Sequence, residues 1–142
     1  MHMDRDIYCA RLKLNGKENE ATLIAAVNLA TTLNVLRRFE ETKSLLRESM
    51  PVARRILGVG HDHTLRMRTI YATALTMMGD PSAPLDDLRE AVTTLEETKR
   101  TAQRLLGGAH PVVVAIEQTL GGAREVLRAR ETPSSSPPSE SV

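Results

Sequence analysis

Internal repetition constrains the fold of this chain more than any other feature of its sequence. The run Ala-Thr-Leu at 21–23 returns as His-Thr-Leu at 63–65, an offset of 42 residues. A longer run, Arg-Ile-Leu-Gly-Val-Gly-His at 55–61, returns as Arg-Leu-Leu-Gly-Gly-Ala-His at 104–110, an offset of 49 residues. The difference indicates a seven-residue insertion, most simply placed near residues 80–86. A repeat of this length is one supersecondary unit that buries its apolar face only against its neighbours.

The two offsets divide the chain into five parts. Residues 1–20 are predicted to hold the last helix and turn of a preceding unit, and 21–61 form a first complete unit. Residues 62–110 form a second complete unit with the seven-residue insertion, and 111–130 hold a single helix that caps the stack. Residues 131–142 are rich in Pro and Ser and lack core-forming residues, so they are expected to be disordered.

Apolar residues recur every three to four positions in each long segment, which is the period of an amphipathic helix. No segment shows the alternation of a strand, so the sequence predicts an all-α fold with helices over 4–14, 21–36, 39–57, 62–78, 84–106 and 111–130. Gly58 and Gly107 follow apolar helix ends, where glycine adopts the left-handed conformation that terminates a helix. Pro51 lacks a backbone donor and is expected to kink or break its helix.

Composition excludes several classes of partner. The net charge is +1, so nothing favours nucleic acid or an anionic membrane electrostatically, and only three aromatic residues are present to stack on bases. No run approaches the ~20 apolar residues that span a bilayer. The single cysteine, Cys9, fits a reducing compartment and a cytoplasmic location, and we expect its thiol to be buried and inert.

The repeated motifs resemble the tetratricopeptide repeat (TPR). The residues that carry the resemblance are Asn28-Leu29-Ala30, Arg55-Ile56-Leu57-Gly58, His61, Thr64-Leu65, and Arg104-Leu105-Leu106-Gly107 with His110-Pro111. The unit length is most similar to the long-helix variety of kinesin light chains. The resemblance implies a right-handed α–α superhelix, a TPR-like solenoid of about two full repeats plus a half repeat at each end.

No constellation of residues predicts catalysis, a metal site or a cofactor. His61, Asp62 and His63 include ligand types that zinc prefers, but His61 occupies the repeat-closing position that His110 and Asn19 also occupy. Side chains at the first and third positions of a helix also point in different directions. We therefore expect the protein not to be an enzyme.

The first helix of each repeat lines the concave side of such a solenoid. The resemblance therefore implies a peptide-binding groove, and the residues expected to line it are Asn28, Thr31, Asn34, Arg66, Thr69, Thr73 and Gln118. The predicted function is a non-catalytic interaction or scaffold module that binds a peptide or helix of a protein partner. The alternative is a self-associating module, a homodimer through exposed repeat edges, or a fragment of a longer TPR array.

Overall fold

The computed structural model describes residues 2–131, and within this range the chain forms α-helices, one short 3-10 helix and no strand. The prediction of an all-α fold is confirmed. The α-helices are α1 (His2–Asn15), α2 (Glu20–Val35), α3 (Phe39–Ile56), α4 (Asp62–Leu75), α5 (Leu85–Leu106) and α6 (Pro111–Glu131), and the 3-10 helix covers Met77–Gly79.

Each α-helix packs against the next one along the chain, and α2 also contacts α4 while α4 contacts α6. Large apolar side chains at helical spacing fill the space between them, and the fully buried ones include Leu23, Leu33, Leu46, Leu65, Leu75, Leu88, Leu95 and Leu120. Ala26, Ala30, Ala72 and Ala74 are also fully buried, because small side chains let neighbouring helices approach closely. The core therefore runs continuously through the helices rather than splitting into separate clusters.

The chain turns from one helix pair to the next with the same backbone conformation each time. Gly16, Gly58 and Gly107 have φ values of 78°, 100° and 90°, in the left-handed region that favours glycine. The amide of His61 donates to the carbonyl of Gly58 at 3.3 Å, and the amide of His110 donates to the carbonyl of Gly107 at 3.2 Å. The repeated phrase in the sequence thus specifies a repeated helix-terminating turn.

The residue three positions after each of these glycines caps the following helix. The Asn19 side chain accepts a hydrogen bond from the amide of Ala21 at 2.8 Å. His61 accepts from the amide of His63 through Nδ1 at 3.1 Å, and His110 accepts from the amide of Val112 in the same way at 3.1 Å. Asparagine and histidine are interchangeable here because each offers an acceptor at the right reach to an unpaired amide of the first helical turn.

Two helix boundaries differ from the sequence-based prediction. α3 continues through Pro51 to Ile56, so the expected break is wrong, while the kink stays a prediction. Pro51 is exposed, which leaves the unpaired carbonyl of Arg47 within reach of solvent. α4 ends at Leu75 rather than 78, because Met77 and Met78 have positive φ values of 51° and 55° that an α-helix does not accommodate.

The second helix pair is longer than the first, and its additional residues lie partly in the connection between α4 and α5 and partly in α5. Residues 76–84 join α4 to α5, whereas only residues 36–38 join α2 to α3. α5 has 22 residues against 18 in α3. Two turn residues shape the longer connection: Asp80 accepts hydrogen bonds from the amide and hydroxyl of Ser82 at 2.8 and 2.7 Å.

The two edges of the described chain also differ from expectation. Cys9 is exposed rather than buried, because it lies on a side of α1 that no other described helix covers. The repeat offsets of 42 and 49 residues place Ala30, Ala72 and Gly121 at equivalent positions. Ala30 and Ala72 are fully buried, but Gly121 is exposed, with no atom near the position of an added Cβ. Glu131 is the last residue of α6 and pairs with Arg89 at 3.2 Å, so the predicted disordered tail begins one residue too early. Its remaining part, 132–142, lies outside the described residues.

Candidate functional site

A crevice between α4 and α6 lies on the side of the molecule where α2, α4 and α6 come together. It contains two cavities of about 330 and 360 Å³, which we call cavity A and cavity B. Cavity A lies beside Leu65, Thr69 and Ile116, and cavity B follows one to two turns later beside Thr73 and Thr119. Both helices advance in the same direction along the crevice, so α4 and α6 run parallel.

The structure brings most of the sequence-predicted residues together in this crevice. Thr31 from α2 and Arg66 and Thr69 from α4 line cavity A. Thr73 from α4 and Gln118 from α6 line cavity B. Residues from three helices that are far apart in sequence therefore share one surface.

Asn28 and Asn34 lie elsewhere. Asn28 is exposed and lines a separate depression of about 220 Å³ beside Ile7 and Arg11 of α1. Asn34 is only 6% exposed, and its Nδ2 donates to the carbonyl of Ile70 at 3.1 Å. The expectation that Asn34 lines the groove is corrected: the close approach of α2 to α4 buries this side chain, where it links the two helices. Its Oδ1 is buried without a hydrogen-bond partner among the described residues.

The threonine hydroxyls of the crevice are already committed as donors. Thr31 donates to the carbonyl of Val27 at 2.9 Å, and Thr69 donates to the carbonyl of Leu65 at 3.0 Å. Thr73 and Thr119 donate to the carbonyls four residues earlier at 3.0 and 3.1 Å. A hydroxyl has a single proton, so these side chains present methyl groups and acceptor lone pairs to the crevice.

The donors that remain are few. Arg66 and Gln118 are exposed, and neither side chain makes a hydrogen bond or ion pair within residues 2–131. Asp62 lies one turn before Arg66 and also lines cavity A. The Arg66 guanidinium thus makes no ion pair in cavity A and remains available as a donor.

Sequence reasoning missed the apolar part of the crevice. Ile70, Val112 and Ile116 line cavity A, and Ala123 and Val126 line cavity B. The spacing of Val112 and Ile116 on one face of α6 is a signal that could have identified them, since residues four apart share a helix face.

The histidine-rich start of α4 has a structural role. The Nδ1 of His61 is engaged by the amide of His63, and the two rings stack with centroids 5.1 Å apart. Among the residues that the structure describes, no group of three or more His, Cys, Asp or Glu side chains is placed to hold a metal ion. Over the same part of the chain, no helix has the length and apolar character needed to cross a bilayer.

Comparison with known families agrees with the geometry. The family model of the tetratricopeptide repeat matches residues 22–64, which cover α2, α3 and the first residues of α4. This match supports a TPR protein. Repeats of this family generally mediate protein–protein interactions and are generally non-catalytic. A comparison with curated proteins gave no significant match.

Proposed function

We propose that this chain is a non-catalytic interaction module whose α4–α6 crevice binds an amphipathic helix of a protein partner. The observation that carries the proposal is the combination of an apolar floor with threonine hydroxyls whose protons are already donated to backbone carbonyls of their own helix. The apolar floor consists of Ile70, Val112 and Ile116. The threonines are Thr69 and Thr73, whose hydroxyls donate to carbonyls four residues earlier.

This combination favours a helix over an extended peptide. An extended peptide exposes backbone carbonyls that need donors, and each carbonyl left buried without one costs about 1–3 kcal/mol. A helix satisfies its own backbone and presents only side chains, which is the helix-in-groove mode of recognition. The crevice meets that requirement with methyl groups and aliphatic side chains.

The length of the crevice and the charge of Arg66 indicate which kind of helix would fit. The crevice follows the 14 residues of α4 and the adjoining Thr76, about 21 Å at the helical rise, which matches a partner helix of roughly four turns. The guanidinium of Arg66, which makes no ion pair within residues 2–131, favours a carboxylate on the partner, since arginine binds carboxylates in a bidentate geometry. We therefore propose a partner helix with one apolar face and an acidic residue at its edge.

The wider architecture that fits this function is a right-handed TPR-like solenoid. Its repeats are proposed at 21–61 and 62–110, with a partial unit before them and α6 as a cap. The crevice then lies on the concave side, where first helices of the repeats meet. The 18 and 22 residues of α3 and α5 support a relation to the long-helix, kinesin-light-chain-like variety.

A displayed library of random 16-residue peptides provides the test. Peptides selected on the wild-type protein should lose affinity about tenfold or more for Arg66→Glu, because an attractive pair becomes a repulsive one in a partly desolvated site. Ile116→Asp should weaken them further, although its burial at 2% exposure requires a circular dichroism check of folding. Arg104→Glu is the matched control, because Arg104 is exposed on α5 and outside both cavities.

The form of the bound peptide is tested separately. A central proline should abolish binding of a helical ligand, and the peptide's far-ultraviolet helical signal should increase on binding. Selected peptides that tolerate proline and bind Arg66→Glu normally would contradict the proposal.

A second candidate function, self-association, is favoured by α1. Met3, Ile7 and Leu14 share one face of this helix and are 73%, 43% and 78% exposed, which leaves an apolar edge for a second copy of the chain. Sedimentation velocity should then show a dimer that Leu14→Glu abolishes. Val35→Glu serves as the control, since Val35 is 69% exposed on α2. A concentration-independent monomer would reject this second candidate.

A further inference from the structure

A polar cavity of about 260 Å³ lies on the opposite side of α4 from the crevice, between α3, α4 and α5. We call it cavity C. Arg47 and Arg54 of α3 line it from positions seven residues apart, with Pro51 between them. Arg68 lines it from α4, and Glu90 and Glu97 line it from α5.

The ion pairs around cavity C leave one positive charge uncompensated. Arg68 pairs with Glu97 at 3.2 Å, and its side chain is only 11% exposed. Burial lowers the pKa of Arg68, and the positive charge of Arg54 lowers it further while Glu97 offsets part of the effect. The guanidinium of Arg54 makes no hydrogen bond or ion pair within residues 2–131. Arg54 and Arg68 thus place two like charges in one cavity, and Glu97 pairs with only one of them.

The second arginine of α3, Arg47, is oriented by two contacts with Tyr71 in the same cavity. The Nε of Arg47 donates to the Tyr71 hydroxyl at 3.2 Å, and that hydroxyl donates to Glu90 at 2.8 Å. The Arg47 guanidinium lies over the Tyr71 ring, 5.8 Å from its centroid. Its terminal nitrogens have no partner among the described residues, so they remain available as oriented donors.

We propose that cavity C binds a carboxylate presented by an acidic segment of a protein partner, with Arg54 and Arg47 as its donors. The three guanidinium groups and two carboxylates of the cavity sum to one positive charge, which a single carboxylate neutralises. A phosphate carries about −1.5 to −2 and would leave excess negative charge between Glu90 and Glu97. The cavity lies away from cavities A and B, so this site is independent of the proposed crevice function.

Arginine Nε–Hε resonances in a ¹⁵N-correlated NMR spectrum provide the test. The probe is acetyl-Ala-Ala-Glu-Ala-Ala-amide, and the peptide with Gln in place of Glu is its control. The glutamate peptide should shift the Arg54 and Arg47 resonances saturably, and the glutamine peptide should bind about tenfold more weakly or worse.

Substitution of Arg54, and of its neighbour Arg55 as a control, tests the site in the protein. Arg54→Gln should reduce affinity for the glutamate peptide about fivefold, the range expected for a largely exposed charge pair. Arg55→Gln should leave it unchanged, because Arg55 pairs with Glu18 at 2.6 Å away from the cavity. Glu97→Gln should increase affinity, because it frees Arg68 from its carboxylate; a merely structural role for the cluster predicts no increase.

Three outcomes would overturn the proposal. The first is equal binding of the glutamate and glutamine peptides, and the second is equal affinity in Arg54→Gln and Arg55→Gln. The third is tighter binding of inorganic phosphate than of the glutamate peptide, which would assign the cavity to a different anion.

Discussion

At the scale of single residues, the conformation of Arg37 conflicts with its residue type. Its φ is 60°, a left-handed conformation that costs a side-chain-bearing residue about 1–2 kcal/mol. Gly79 is the equivalent residue of the second repeat, 42 positions later, and its φ is 89°. The Arg37 side chain pairs with Asp80 at 3.1 Å and lies over the Phe39 ring at 5.3 Å. These contacts tie the first connection to the second and offset part of the strain.

Replacing Arg37 separates the backbone effect from the side-chain contacts. Arg37→Gly and Arg37→Ala both remove the contacts with Asp80 and Phe39, but only glycine accepts the left-handed backbone freely. Arg37→Gly should therefore be more stable than Arg37→Ala by about 1 kcal/mol in urea unfolding. Equal stability of the two variants would show that the connection relaxes to an ordinary conformation.

At the scale of whole elements, the start of α4 depends on its histidine cap. His61→Ala removes the acceptor for the His63 amide and should lower the free energy of unfolding by about 1 kcal/mol. His61→Asn should remain within a few tenths of the wild type, because Asn19 performs the same role at α2. Urea unfolding of both variants, with an unchanged m-value, provides the measurement. A His61→Asn variant as unstable as His61→Ala would mean that ring stacking with His63, rather than the cap, stabilises this turn.

Two adjacent glycines weaken the middle of α6. No atom lies near the position of an added Cβ at Gly121 or Gly122, and both are exposed. Gly121→Ala and Gly122→Ala should therefore each raise the free energy of unfolding by about 0.5–1 kcal/mol, through the higher helix propensity of alanine. Thermal unfolding followed by circular dichroism measures this change.

The same pair tests the crevice. Gly122 lines cavity B, whereas Gly121 lines none of the three cavities. Gly122→Ala should weaken a crevice-bound helix several-fold by placing a methyl group in its path, and Gly121→Ala should not. An equal effect of both variants on affinity would remove cavity B from the binding surface.

At the scale of the whole molecule, the two tyrosines report on alkaline unfolding. Burial is the main cause that raises the pKa of Tyr8 above 10.0, and the charge of Glu48 adds to it. Burial also raises the pKa of Tyr71, and its hydrogen bond to Glu90 adds to the effect. Since both folded-state values exceed the unfolded value, each tyrosine contributes stability below about pH 10 that is lost as pH rises through the raised pKa.

Phenolate absorbance should therefore appear above pH 10 and coincide with loss of helical circular dichroism. Tyr8→Phe leaves Tyr71 as the single reporter and should show the same coincidence. Phenolate formation near pH 10, before the helical signal decreases, would show that the tyrosines ionise within the folded protein.

The sequence predicted those features of the molecule that depend on local residues. The helical period located the helices, and the glycines after apolar helix ends marked the turns at Gly58 and Gly107. The sequence also identified His61 and His110 as equivalent positions, although it did not identify them as the caps that the structure shows. These features depend on residues within a few positions of one another. Local sequence therefore carries their full signal.

Other features depend on neighbours that the sequence does not place. Asn34 is buried because α2 lies against α4, and Cys9 is exposed because one side of α1 lacks a described neighbour. The hydroxyls of Thr69 and Thr73 donate to backbone carbonyls only because of the side-chain rotamers, which the residue type does not determine. Cavity C unites residues of three helices, so no single segment could have indicated it.

Amide chemical-shift mapping with a peptide selected on the wild-type protein tests the central claim most directly. A partner helix in the crevice should shift the amides of Arg66, Thr69, Ile116 and Gln118 most, with smaller changes at Thr31. The largest changes at α3 or the outer side of α1, with α4 and α6 unaffected, would contradict the assignment of the crevice as the binding surface.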